Sequence, residues 1–200
     1  MRKLITGSGR SGSLWVARYF NIPHERVPEA QTAYDLSFSV PKVNYYWEAL
    51  DKYASTTTGP EVDSRLRRSA FDLKRYGISC VSLIRNPYDT IASTMNSFSY
   101  DKDLEKEVLY DFSMLYRSNN EKLMSEAREV FVFDKLVSDD DSHIRKLSDL
   151  LGFEFNKERW LSFKGVKENA TPDCKKKFIW NDVYRDIVAK NCSSILKVCK

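Results

Sequence analysis

The chain has 200 residues, of which 42% are hydrophobic and 13% aromatic, a balance that suits one globular domain spanning 1–200 with a single buried core. Its formal net charge of +4 is scattered, and the longest basic run is Lys175-Lys176-Lys177, so with neither a basic stripe nor a readout motif a nucleic-acid partner is not expected. No run approaches the roughly 18 apolar residues of a membrane span, and Leu4-Ile5 is too short for a signal peptide, so neither is expected.

Lys3-Leu4-Ile5-Thr6 reads as a short buried strand, followed by a glycine and serine loop and a helix from about Ser11 to Phe20. Ser37-Phe38-Ser39-Val40 suggests another strand, Thr56-Thr57-Thr58-Gly59-Pro60 a surface loop, and the stretches from Tyr45 to Tyr53 and from Ser64 to Tyr76 suggest helices. Val81-Ser82-Leu83-Ile84 is a second buried strand. Asn86 suits the cap and Pro87 the first position of the next helix, which carries Ile91, Met95 and Phe98 at core-facing spacing. Val130-Phe131-Val132-Phe133 gives a third strand, Ser142 to Leu151 a helix closed by Gly152, and Asn181 to Lys197 a closing helix. Apolar strands alternating with helices predict a three-layer α/β fold of the P-loop type, a central parallel sheet flanked by helices.

The segment Thr6-Gly7-Ser8-Gly9-Arg10-Ser11-Gly12-Ser13-Leu14-Trp15 joins the first strand to the first helix, where free N–H groups and the positive end of a helix dipole converge on an anion site. Glycines let the backbone wrap an oxyanion; Ser11 and Ser13 add hydroxyl donors and Arg10 a cationic fork. An ATP or GTP loop reads GxxxxGK[ST]. Gly7 and Gly12 keep that spacing, but Ser13 replaces the lysine and Leu14 the magnesium-binding hydroxyl. Sulfuryl carries one negative charge fewer than a phosphoryl dianion, so a loop without that hydroxyl suits its transfer. Arg85 stands at the end of the second strand, on the edge where a parallel sheet forms its ligand crevice, with Ser93 eight positions on.

Gly9-Arg10-Ser11-Gly12-Ser13-Leu14-Trp15 and Leu83-Ile84-Arg85-Asn86-Pro87-Tyr88-Asp89 with Ser93 resemble, in order and separation, the two motifs of the sulfotransferases that use 3′-phosphoadenosine 5′-phosphosulfate (PAPS). Val130 to Leu136 and Leu150 to Phe153 extend the resemblance more loosely. It implies that the first loop, Gly9 to Trp15, binds the 5′-phosphosulfate and that Arg85 and Ser93 bind the 3′-phosphate. Arg10 stands where the cytosolic small-molecule branch has lysine, and Lys164-Gly165 is a faint echo of that branch's arginine-lysine-glycine segment, which places the chain nearer the small bacterial and carbohydrate branch.

In-line sulfuryl transfer needs a base for the acceptor's proton and a cation on the oxygen bridging sulfur to phosphate. Arg10 fits the second role. His24-Glu25, directly after the first helix, resembles a His-Glu pair of small bacterial members, and either residue is a candidate base. His143, behind Asp139-Asp140-Asp141 at a helix start, reads as a cap or solvent group, and the acidic run as a complement to the helix dipole; no metal is expected. Tyr45, Tyr46, Trp47 and Tyr53 are candidates for stacking on a small-molecule or glycan acceptor. Cys80, Cys174, Cys192 and Cys199 match neither a metal-ligand nor a CxxC spacing, so free thiols and a cytoplasmic location are expected. The rival readings are a nucleotide or small-molecule kinase, which would need the missing lysine and hydroxyl, and a non-catalytic phosphonucleotide-binding module, which would need no base.

Overall fold

The computed structural model describes residues 2–37, 43–166 and 177–200; of the strand expected over Ser37 to Val40 all but Ser37, which closes a helix, lies outside them, as do Cys174 and Lys175-Lys176. Four strands, β1 (Arg2–Thr6), β2 (Glu61–Val62), β3 (Ile78–Ile84) and β4 (Glu129–Val132), form one parallel sheet in the order β2-β1-β3-β4. The helices are α1 (Ser13–Phe20), α2 (Glu29–Leu36), α3 (Val43–Thr56), α4 (Ala70–Leu73), α5 (Pro87–Met95), α6 (Glu105–Glu126), α7 (Phe133–Leu136), α8 (Ser142–Leu151), α9 (Lys157–Phe163), α10 (Asp182–Asn191) and α11 (Ser193–Cys199). None of the described helices is long and apolar enough to cross a membrane.

The period of two along each strand divides the core. Ile5, Val81, Leu83 and Phe131 face α1, α8 and α9, packing with Trp15, Val16, Leu147 and Trp160. Leu4, Ile78 and Cys80 face the other way, against Leu50 and Tyr53 of α3, Leu73 of α4 and Leu123 of α6. Ile84 and Val132 continue that side toward Ile91, Met95, Tyr116 and Val188. Burial on both faces is why these strands read as apolar runs rather than as alternating patterns. Each buried Leu, Ile or Phe contributes about 1.5–3 kcal/mol, so the sheet edge rests on a stiff base.

Several boundaries differ from the sequence reading. α1 begins at Ser13 rather than Ser11 because Arg10 (φ 68°) and Gly12 (φ 91°) hold the preceding residues out of the helix. The stretch from Ser64 to Tyr76 is not one helix but a 3₁₀ turn (Ser64–Arg68), α4 and a second 3₁₀ turn (Lys74–Tyr76). Phe98 lies beyond the end of α5, 60% exposed and packed on Phe112, while Ile91 and Met95 are buried as expected. Phe133 opens α7 instead of ending β4, and the closing helix is two helices that meet at Cys192. The 22-residue α6 has no signature in the apolar pattern because three of its six buried residues, Ser113, Asn119 and Asn120, are polar.

Candidate functional site

All four strands point their carboxyl ends to one edge, and the glycine loop leaves β1 there. Its path fixes its composition. A Cβ on Gly7 would sit 2.1 Å from the Leu83 carbonyl oxygen and 2.8 Å from Ser11 Oγ, so only glycine lets the loop pass this close to β3. Gly12 combines its left-handed φ with the Phe133 ring, whose nearest carbon would lie 2.2 Å from a Cβ. Gly12 caps α1 without a side-chain bond, which leaves the N–H groups of Ser13, Leu14 and Trp15 without intrahelical partners. Gly9 and Arg10 are exposed at the tip, and a Cβ on Gly9 would meet open space.

Beneath this loop lies a concentration of unsatisfied hydroxyls. Ser11 Oγ, Thr6 Oγ1 and Ser82 Oγ are buried without hydrogen-bond partners, and Thr6 and Ser82 are register neighbours across β1 and β3. Asn120 of α6 donates to Ser8 Oγ (2.8 Å) and to the Tyr116 carbonyl (2.7 Å), while its own Oδ1 is unpaired. Each orphaned buried polar group costs about 1–3 kcal/mol, so their gathering at a helix N-terminus fits a place that receives a polar ligand.

Arg85 directly follows β3, the neighbour of β1. Tyr116 donates to its carbonyl (2.5 Å), and Asp134 accepts from the Asn86 N–H (2.9 Å) while standing 3.8 Å from Arg85 Nε. That Nε is buried and makes no hydrogen bond, and the guanidinium lies 5.5 Å from the centre of the Phe133 ring. Phe133 therefore touches both Gly12 and Arg85 and spaces the two motifs. Asn86 caps α5 by accepting from the Tyr88 N–H (3.0 Å), with Pro87 in the first turn, as the sequence predicts. Ser93 is half-buried on α5, and among the described residues no hydrogen bond joins it to Arg85 or to the loop.

His24 and Glu25 are tied to the sheet's β2 edge. The Val62 N–H donates to the Pro23 carbonyl and the Glu25 N–H to the Val62 carbonyl, both at 2.9 Å, so His24 runs parallel beside Val62. His24 Nε2 lies 3.2 Å from Ser13 Oγ, which joins this candidate base to the glycine loop. Glu25, at φ 48°, turns the other way, and its carboxylate accepts from the Ser64 hydroxyl. Next to it Asp63, fully buried, accepts from Arg65 Nε (2.9 Å) and Nη2 (2.6 Å) and donates its N–H to the Ile5 carbonyl (3.0 Å). Burial pushes the Asp63 carboxyl above the usual carboxylate range, and Arg65 opposes that shift. The place of Asp63 and Ser64 beside the site is not legible in the sequence because β2 is only two residues long and one of them is charged.

Other sequence candidates lie elsewhere. The Trp15 indole donates to the Phe163 carbonyl (2.9 Å) and stacks on Tyr19, so Trp15 offers a ligand its main-chain N–H only. Lys164 pairs with Asp139 (2.6 Å) at the surface. Tyr46 donates to Asp72 (2.5 Å) and Tyr53, buried, donates to Glu61; of the four candidate aromatics Tyr45 is the exposed one. Among the described residues no group of three or more His, Cys, Asp and Glu side chains is placed to hold a metal.

No family model and no curated protein sequence matches the chain. Among solved structures, the sulfotransferase domain of the Synechococcus PCC 7002 olefin synthase is similar with a TM-score of 0.58 at 13% identity, covering 98% of this chain and 94% of that one. Mouse sulfotransferase SULT7A1 complexed with PAP has a TM-score of 0.50 at 13% identity, over 96% of this chain and 78% of that one. Shikimate kinase from Bacteroides thetaiotaomicron has a TM-score of 0.49 at 15% identity, over 76% of this chain and 99% of that one. The likeness to the two sulfotransferases, together with the parallel sheet flanked by helices, shows the fold, a three-layer α/β arrangement of the P-loop type.

Proposed function

We propose that the chain transfers a sulfuryl group from PAPS to a hydroxyl or amine of a carbohydrate or small-molecule acceptor, releasing adenosine 3′,5′-bisphosphate. One observation carries this reading: a glycine loop with serine and leucine in place of lysine and the magnesium-binding hydroxyl shares a sheet edge with Arg85, whose Nε is buried and unbonded. The likeness in fold to two sulfotransferases, one solved with PAP, supports it. So does the residue chemistry, since the orphaned hydroxyls and free N–H groups are donors for an anionic group.

In this reading the N–H groups of Ser13, Leu14 and Trp15, the hydroxyls of Ser11 and Ser13, and Gly9 and Arg10 hold the 5′-phosphosulfate, while Arg85 and Ser93 hold the 3′-phosphate. PAPS supplies a sulfuryl group activated as a mixed anhydride with phosphate. Arg10, exposed at the loop tip, stabilises negative charge developing on the bridging oxygen. His24 is favoured over Glu25 as the base that takes the acceptor's proton, because its Nε2 already reaches the first residue of α1 whereas Glu25 is engaged by Ser64. Arg10 in place of lysine favours the bacterial and carbohydrate branch.

Calorimetric titration with adenosine 3′,5′-bisphosphate, Mg-ATP and a short oligonucleotide tests the donor site, and a mass-spectrometric screen for acceptors that gain one sulfuryl group from PAPS tests the reaction. Tight binding of the bisphosphate alone and a rate insensitive to chelator are expected. Preference for Mg-ATP, or activity lost to chelator and restored by Mg²⁺, would overturn the reading.

A further inference from the structure

The 3₁₀ turn after β2 carries three arginines at the same sheet edge. Arg65 is neutralised by Asp63. Arg67 is not: among the described residues no carboxylate lies within ion-pair distance of it. Its Nη1 donates to the Ser64 carbonyl (2.7 Å), its Nη2 to the Tyr34 hydroxyl (2.6 Å), and its guanidinium lies 4.5 Å from the centre of the Tyr34 ring. Its Nε is buried with no partner. Arg68 follows directly, with Nε donating to Asn119 Oδ1 (3.2 Å), one residue from the Asn120 that holds Ser8 of the glycine loop. Burial, and to a lesser degree the Arg68 charge, pull the Arg67 pKa below its ordinary value.

This arrangement has a poor rationale in stability alone. Withdrawing the Arg67 guanidinium from water costs free energy that a tyrosine hydroxyl, a carbonyl and the more distant Glu25 charge only partly offset. The same arrangement is what an oxyanion requires, with planar donors held in place and one left unused. Its location is specific, because the Ser64 whose carbonyl holds Arg67 also gives its hydroxyl to Glu25, beside His24.

We propose that Arg67 and Arg68, aided by the Tyr34 hydroxyl, form a subsite for a carboxylate or sulfate group carried by the acceptor, so that the enzyme selects an acidic sugar or a comparably acidic small molecule. This rests on the transfer reading for its role, but the site itself is independent of the donor. In this arrangement the reacting hydroxyl faces His24 and the glycine loop and the acidic group faces the arginine turn, the two sides being joined through Ser64, which holds both Glu25 and Arg67.

The test is binding of glucose 6-sulfate, glucuronate, glucose and inorganic sulfate at matched ionic strength, with adenosine 3′,5′-bisphosphate saturating, read by calorimetry and thermal shift. The wild type is expected to bind the charged sugars at least about tenfold more tightly than glucose and to be stabilised by sulfate relative to chloride. Arg67→Gln should remove that preference while keeping the bisphosphate affinity and, without ligand, should melt no lower than the wild type, which a purely structural arginine would not allow. Should Arg67→Gln fail to fold by circular dichroism, Arg68→Gln and the wild-type comparison decide. Equal binding of charged and neutral sugars by the wild type, or an unchanged preference in Arg67→Gln, overturns the subsite and leaves the donor reading standing. Arg67-dependent binding of charged sugars by a protein that ignores the bisphosphate sinks the donor reading and leaves the subsite standing.

Discussion

Alanine at Gly7 and alanine at Gly9 should fail in different ways. At Gly7 the new Cβ would lie 2.1 Å from the Leu83 carbonyl oxygen, whereas ordinary contact begins at 3.4 Å, so the loop and β3 must part by about 1.3 Å (3.4 − 2.1). Both are backbone, and Leu83 is fixed by pairing to Phe131 and by the core, so little of the strain can relax. Overpacking of this kind costs about 2–3 kcal/mol. In a chain of this size that lowers Tm by roughly 4–12 °C. Gly9 has nothing within 4 Å of its would-be Cβ, so Gly9→Ala should leave Tm within about a degree. If the loop wraps an anion, that methyl intrudes on the ligand and weakens adenosine 3′,5′-bisphosphate by about tenfold, or about 1.4 kcal/mol. Scanning calorimetry and bisphosphate titration of both variants give the four values needed. An unaltered Tm for Gly7→Ala would refute the close passage of the loop by β3, and unaltered binding by Gly9→Ala would refute anion binding at the loop tip.

Arg85→Ala should weaken the bisphosphate by roughly 2–4 kcal/mol, and Ser93→Ala by about 1 kcal/mol; equal weakening of an analogue that lacks the 3′-phosphate would show that Arg85 binds something else. Arg10→Ala should cut turnover while largely sparing donor affinity, since its charge acts on the bridging oxygen as the bond breaks; steady-state kinetics beside a binding titration separates the two. His24→Ala should lower turnover by about 10²-fold with donor affinity intact, and Glu25→Gln by much less; the reverse order would move the base to Glu25. Glu61 is buried, and desolvation raises its carboxyl pKa against the opposing bonds from Tyr53 and Thr57. A folded-state pKa above the unfolded one means that its stabilising contribution is present at low pH and is lost as pH rises through the raised value. Glu61→Gln keeps one acceptor oxygen and turns an N–H toward the other hydroxyl, which can accept it, so its Tm should gain on that of the wild type by a widening margin from about pH 4 to pH 8; a margin that shrinks with pH would contradict this.

The sequence by itself determined the parallel sheet's central strands, the glycine loop and the arginine after β3, because these features are local. A strand buried on both faces leaves an apolar run, as in Val81 to Ile84, and a loop pressed against a neighbouring backbone must use glycine wherever a Cβ has no room, as at Gly7 and Gly12. It also determined α8 and its end, since Gly152 takes the left-handed conformation that closes the helix. Tertiary structure alone decided the rest. β2 is two residues, Glu61 and Val62, recognisable as a strand only through its pairing with Leu4 and Ile5, and it is β2 that brings Asp63, Ser64 and the arginine turn to the edge where the loop ends. α6 buries serine and asparagine as readily as leucine, so its sequence has no apolar stripe, yet its Asn120 holds Ser8 and its Tyr116 holds Arg85. The division between His24, which reaches Ser13, and Glu25, which turns to Ser64, depends on a left-handed residue and on the pairing of His24 with Val62 across 38 positions, a long-range contact that adjacent letters in a chain do not encode.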